Sequence, residues 1–319
     1  MLVLVTGCAG FIGFHVAKTL LARGDTVVGV DNLSTYYDPA LKEARLDQLR
    51  THKTFQFVRC DVADRTAMDA IFAKHRFSVV CHLAAQAGVR YSLTDPFAYE
   101  HANNLGTLTL LEACRHHNVT RFVFASSSSV YGANTKLPFS ESDKVDVPMS
   151  AYAATKRYNE LLAYTYHSLY GLRCTGLRFF TAYGPWGRPD MALFKFTKAI
   201  LAGEPIDVYG EGKQSRDFTF VDDIAAGVVA AIDTPFDYEI INLGRGKQVP
   251  LLAFIEAIEK ELGRTATRNL LPMQQGDVRE TSADITKARK LLTYDPKTDV
   301  HEGIHHFVTW YKQYYSEQS

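Results

Sequence analysis

A glycine-rich turn, Thr6-Gly7-Cys8-Ala9-Gly10-Phe11-Ile12-Gly13, constrains this chain more than any other feature. It sits between an apolar run, Leu2-Val3-Leu4-Val5, and a stretch of helical spacing from Phe11 to Arg23. The run is short and uniformly apolar, as a strand buried on both faces must be. Glycine at 7 and 10 lets the backbone turn tightly and approach a pyrophosphate, and Gly13 lets the helix pack close to the strand. The free N–H groups at the start of the helix attract an anion. Strand, turn and helix in this order predict a dinucleotide site in which Gly7, Gly10, Phe11, Ile12 and Gly13 receive the phosphates.

A second strand, Thr26 to Val30, runs into Asp31, eighteen residues past Gly13, with Asn32 beside it. An acid there accepts hydrogen bonds from an adenosine ribose and repels a 2′-phosphate, which points to NAD rather than NADP. Asp61-Val62 closes a third apolar run, Phe55 to Cys60, and Leu83-Ala84-Ala85 follows a fourth, Phe77 to Cys81. These residues fall at the carboxyl ends of strands, where open α/β sheets bind ligands.

Apolar runs and helical stretches alternate through Arg178, with further strands at Arg121 to Ala125 and Arg173 to Leu177. Such alternation predicts an α/β fold: a doubly wound, parallel, Rossmann-type sheet over residues 1–178. Beyond Arg178 the rhythm breaks into shorter pieces marked by Gly184-Pro185, Gly187, Gly203, Gly210 and Gly212. Residues 179–319 are expected to form a smaller α/β lobe that binds substrate, with 214–235 packing back on the first lobe. A chain of 319 residues with 46% hydrophobic content suffices for both.

Thirty-five basic residues balance thirty-five acidic ones, so no net field recruits nucleic acid or an anionic membrane. Anions must be gripped locally. Five scattered cysteines without a Cys-x-x-Cys pair suggest reduced thiols in a cytoplasmic protein. No apolar stretch approaches the roughly twenty residues that span a bilayer, and no His, Cys or acid cluster has metal-ligand spacing; the adjacent His305 and His306 face different ways on a helix.

Ser150 opens a helix on which Tyr152 and Lys156, at i and i+4, share a face. A nearby ammonium, with the positive charge of an oxidised nicotinamide, would stabilise the phenolate and make tyrosine a usable base. Ser126 to Ser129 follow a buried strand and hold hydroxyls over the same crevice. An isolated Tyr-x-x-x-Lys is an aromatic helix face with a solvated lysine as readily as a catalytic pair. Behind a dinucleotide turn, the catalytic reading prevails.

Thr-Gly-x-x-Gly-Phe-x-Gly, the serines with Val130-Tyr131-Gly132, and Tyr-x-x-x-Lys resemble the extended short-chain dehydrogenase/reductases over nearly the whole chain. Asp31-Asn32-Leu33 with Tyr36-Tyr37-Asp38 and Leu41-Lys42, the stretch Ala84 to Ser92, and Arg178 to Met191 are similar to the UDP-glucuronate 4-epimerases of that family. The resemblance implies NAD as cofactor, Tyr152 as base, Lys156 as its activator and ribose clamp, and Ser127 as hydroxyl partner on O4. It implies further that Ser128, Ser129, Thr181 and Arg188 hold a sugar carboxylate, where galactose-type members usually carry asparagine in place of Thr181. A planar guanidinium pairing with both carboxylate oxygens suits that role, although Arg188 capping a loop turn fits the residues too. Arg216, and Asp277 with Arg279, would hold the nucleotide diphosphate. Here the chain departs from the galactose-type pattern, carrying Gln274 where a phosphate-binding arginine is common. The expected reaction is C4 epimerisation of UDP-glucuronate, with UDP-glucuronate decarboxylation, UDP-glucose epimerisation and non-catalytic NAD binding as rivals. The resemblance also implies a homodimer through the helices near 104–117 and 152–169. Leu105, Leu108 and Leu111 serve equally well as ordinary core.

Overall fold

The computed structural model describes residues 1–316. Six strands, β1 (Leu2–Thr6), β2 (Thr26–Asp31), β3 (Phe55–Arg59), β4 (Val79–His82), β5 (Arg121–Ser127) and β6 (Arg173–Phe179), pair in parallel, and Tyr238–Leu243 adds a seventh beside β6. Across the sheet the order is Tyr238–Leu243, β6, β5, β4, β1, β2, β3. The chain therefore leaves β1 in one direction and returns through β4 in the other, which opens a crevice at their carboxyl ends. This is the doubly wound Rossmann-type sheet that the alternating pattern predicts. The sheet also reaches beyond the 214–235 segment, because Tyr238–Leu243 finds in β6 an unpaired edge and covers it.

Successive residues of β1 serve opposite faces. Val3 and Val5 join a core with α1 (Phe11–Ala22) and the helix Val221–Asp233, while Leu4 joins one with Met68, Leu110 and Ala163. Covering both faces is what removes the polar alternation from these strands. A third core, built on Phe194, Phe218, Phe254, Ile258 and Phe307, fills the region beyond the sheet's carboxyl edge. There the strand pairs are only two-stranded, such as Thr181–Tyr183 with Phe218–Phe220.

Helix ends carry their expected chemistry. α2 (Pro39–Arg50) starts at Asp38, which accepts the Ala40 N–H at 2.9 Å, with proline at its first position. The helix Ala151–Tyr170 starts at Ser150, whose hydroxyl accepts the Ala153 N–H at 3.1 Å, and stops at Gly171 in the left-handed conformation. Among the described residues no helix is long and apolar enough to cross a membrane.

Candidate active site

The turn after β1 is tied down from two sides. Gly7 N–H donates to Val30 at 2.7 Å, and the Asp31 carboxylate accepts N–H bonds from Ala9 (3.1 Å) and Leu33 (2.9 Å). Gly7 has φ +71°, and a Cβ there would lie 2.7 Å from the Ala84 nitrogen. At Gly13 a Cβ would run into the Gly7 carbonyl, so α1 reaches the turn only because this residue has no side chain. Behind the turn, Thr6 bonds His82 Nδ1 at 2.8 Å, and Thr107 bonds Nε2 at 3.1 Å. Burial holds this imidazole down to about 3, so it is a neutral strut.

Above the strand ends lies one cavity of about 430 Å³. Gly7, Gly10, Phe11, Ile12, Gly13, Asp31, Asn32, Asp61, Val62, Leu83, Ala84 and Ala85 all line it. So do Ser127, Ser128, Ser129, Tyr152, Lys156, Thr181, Arg188, Arg216 and Asp277. The glycine cradle, a helix N-terminus and an acid at the end of β2 together fit the pyrophosphate and ribose of a dinucleotide.

Tyr152 and Lys156 project from one helix face, as their spacing predicts, yet the electrostatics differ from the simplest expectation. Lys156 Nζ donates to the Ala125 carbonyl at 2.9 Å, and burial pulls its ammonium down to about 8. Burial raises the Tyr152 phenol; the groups that work the other way are the Ser127 hydroxyl and the Arg188 charge. The Lys156 ammonium is bonded to the end of β5, on the same cavity wall as the phenol. The serines divide their duties. Ser126 donates to Glu160 at 2.6 Å below the site, while Ser127 accepts the Ser129 N–H (3.2 Å) and hydroxyl (2.9 Å) on the cavity wall.

At the far end, Arg188 and Asp190 form a two-bond ion pair, 2.9 and 2.7 Å, and Tyr36 donates to the same carboxylate at 3.2 Å. Burial opposes the charge on Asp190, but Arg188 outweighs it and keeps the carboxyl below its usual range. The side-on edge of Arg188 is thus bonded to Asp190, and Nη1 carries no such bond among the described residues. Arg216 donates to the carbonyls of Ser215 (3.0 Å) and Arg279 (2.9 Å). Arg279 meets Arg216 through its carbonyl. Its side chain is exposed and does not line the cavity, because its backbone, not its guanidinium, turns toward Arg216.

Sequence reasoning assigned no role to Ser34, Tyr36, Lys42, Gln86 or Met191, which also line the cavity. Tyr36, Lys42, Gln86 and Met191 lie in stretches that carried the resemblance, so a signal existed without a geometry. Arg45 gave no signal. It is fully buried, and it donates from α2 to Ala9 (2.7 Å) in the glycine turn and to Trp186 (2.6 Å) two residues before Arg188.

Residues 3–244 match the NAD dependent epimerase/dehydratase family. The chain belongs to this family. NAD is the cofactor, and the cradle described above fits it. The epimerase is 48% identical, over 97% of its length and 96% of the relative's, to the UDP-glucuronate 4-epimerase of Thermodesulfobacterium geofontis. A probable UDP-glucuronate 4-epimerase of Rhizobium meliloti is 46% identical over 98% of this chain and 97% of that one. The fold superimposes with a TM-score of 0.93 on the crystal structure of UDP-glucuronic acid 4-epimerase from Bacillus cereus in complex with UDP-glucuronic acid and NAD, which is 38% identical and covered in full, as is 99% of this chain.

Proposed function

We infer that the protein catalyses NAD-dependent epimerisation at C4 of a UDP-sugar, interconverting UDP-glucuronate and UDP-galacturonate. One observation carries the reading: Tyr152, Ser127 and Arg188 line the same cavity that the glycine turn opens. A proton acceptor, a hydroxyl and a carboxylate-binding cation therefore meet at one sugar-sized place. The similarity to the Thermodesulfobacterium enzyme and to the Bacillus structure supports the same substrate.

Tyr152, as phenolate, takes the proton of the 4-hydroxyl, with Ser127 holding O4 through a bond that strengthens as charge moves. Lys156 fixes the helix against β5 and, with NAD bound, clamps its ribose. NAD, when bound, supplies a hydride acceptor that gives the hydride back, so that none is consumed. Arg216 and Asp277 hold the nucleotide end while the keto sugar turns and offers its other face, after which Tyr152 returns the proton. Arg188, Ser128, Ser129 and Thr181 keep the C5 carboxylate in place. Arg279 is left without a part in this scheme.

We further propose that the protein is cytoplasmic and acts as a homodimer. Leu161, Tyr164 and Leu169 on the helix Ala151–Tyr170 are at least half exposed, and Leu105 is partly so. Leu111 is excluded from such a face because it is fully buried in the core. For the two-lobe division we propose that residues 179–319 bind the nucleotide sugar, except for the stretch from Val221 through Leu243 that serves the sheet.

Incubating the purified protein with UDP-glucuronate and no added cofactor tests the reaction directly. Proton NMR should show UDP-galacturonate accumulating to an equilibrium mixture. UDP-pentose with CO2 as the main product would make the protein a decarboxylase instead, and turnover of UDP-glucose alone would make it a neutral-sugar epimerase.

A further inference from the structure

The Arg188 guanidinium stands on the cavity wall with its side chain 18% exposed. Its Nε donates to Asp190 Oδ1 at 2.9 Å, and its Nη2 donates to Asp190 Oδ2 at 2.7 Å and weakly to Met191 Sδ at 3.8 Å. Nη1 makes no hydrogen bond among the described residues. Asp190 is held in turn by the Tyr36 hydroxyl, 3.2 Å from Oδ2, and does not itself line the cavity. The backbone that carries the pair is pinned at consecutive residues. Pro185 accepts from His15 at 3.0 Å, Trp186 accepts from Arg45 at 2.6 Å, and the turn closes through Gly187 to Gly184 and Met191 to Arg188, both 3.1 Å.

We propose that Asp190, supported by Tyr36, is a positioning residue that fixes the plane of the Arg188 guanidinium and leaves Nη1 alone to meet the substrate carboxylate. The proposal rests on the uronate reading above. A free guanidinium pairs with both oxygens of a carboxylate either side-on, through Nε and one terminal nitrogen, or end-on, through its two terminal nitrogens. Asp190 occupies the side-on edge and the second N–H of Nη2 is directed at Met191 Sδ, so a sugar carboxylate approaches end-on, one oxygen on Nη1 and the other left to the hydroxyls of Ser128, Ser129 and Thr181. With its charge already matched by Asp190, Arg188 recognises the substrate by the direction of one N–H more than by net charge.

That direction decides the fate of the oxidised sugar. With a carbonyl at C4, the C5 carboxylate belongs to a β-keto acid. If the C5–C6 bond swings into line with the carbonyl π system, it breaks. Its electron pair then passes into the carbonyl as an enolate and CO2 departs; a proton adds at C5, the hydride taken from C4 returns there, and a UDP-pentose results. An end-on grip from a fixed plane holds C6 out of that alignment; a side-on grip pulls it toward Arg188.

The test compares the parent with Asp190→Asn and Tyr36→Phe, using UDP-glucuronate and following products by NMR. Asparagine removes one acceptor and frees one edge of Arg188. The expected result is a kcat lower by about tenfold or more with no rise in KM, together with UDP-pentose that the parent does not form. Tyr36→Phe should move both quantities in the same direction by less. A parent-like kcat without UDP-pentose overturns the proposal, and so does a rise in KM with uronate as sole product. If Asp190→Asn does not fold, as judged by circular dichroism and bound NAD, Tyr36→Phe decides, and a parent-like product profile there overturns the proposal. Failure of the underlying reading looks different: the parent itself would leave UDP-glucuronate unchanged.

Discussion

Lys156 is buried with its ammonium against a carbonyl, and the folded chain resists that charge. Its folded value of about 8 lies below the ordinary 10.5, so between those pH values the unfolded chain binds more protons. Stability contributed by this group is therefore present above the unfolded value and lost as pH falls through 8, amounting to about 3 kcal/mol at most. Urea unfolding of the cofactor-free protein should show stability rising from pH 8 to 10 more steeply than in Lys156→Met, which lacks the group. Tyr152→Phe acts on chemistry alone. It should lower kcat by about 10²- to 10⁴-fold while the purified protein keeps its bound NAD, as measured by absorbance after denaturation. Both residues were legible because the Tyr-x-x-x-Lys spacing is local. Asp190 and Tyr36 were not: they lie 154 positions apart and meet only after folding.

At the scale of elements, the β1–α1 unit depends on Gly13. Placing a methyl group there forces the helix away from the Gly7 carbonyl. Gly13→Ala should cost about 1–3 kcal/mol of stability and yield protein purified without NAD, checked by thermal melts and nucleotide content. The helix Ala151–Tyr170 depends on a less visible residue. Glu160 continues the stripe begun by Tyr152 and Lys156, is fully buried, and accepts from Arg178 Nε (2.8 Å), Arg178 Nη2 (2.9 Å) and Ser126 (2.6 Å). It locks the helix to the ends of β5 and β6. Burial alone would raise its carboxyl, but Arg178 outweighs burial and holds it below the ordinary 4.5. Glu160→Gln leaves a buried guanidinium uncompensated and should destabilise the protein by about 3–5 kcal/mol at pH 7. Because the folded value is depressed, that stability is present above 4.5 and lost as pH falls, so the gap between parent and variant should narrow in acid. Chemical denaturation at pH 7 and pH 4 checks both points. The i, i+4, i+8 spacing was available in the sequence; what it lacked was any sign that Arg178, eighteen residues on, faces it.

For the whole molecule, the exposed apolar residues Leu161 and Tyr164 share a helix with the proposed base, so a dimer there would brace the active site. Sedimentation should show a dimer for the parent and a monomer for Leu161→Glu/Tyr164→Glu, with kcat reduced in the monomer. The seventh strand shows where sequence rhythm stops being informative. Tyr238–Leu243 sits between helices in a region of short pieces, and nothing local distinguishes a strand that joins the large sheet from one that pairs in the small lobe. The choice is made by the open edge of β6. By itself the sequence determined the glycine cradle, the acid at the end of β2, the order of strands and helices, and the Tyr152–Lys156 face, because each is written within a few residues through backbone sterics or helical period. Tertiary structure alone decided which guanidinium reaches the cavity, which edge of it is free, and which backbone turns Arg279 outward. Those outcomes depend on groups brought together from distant parts of the chain, whose pairing is chosen by burial and charge once the sheet has formed.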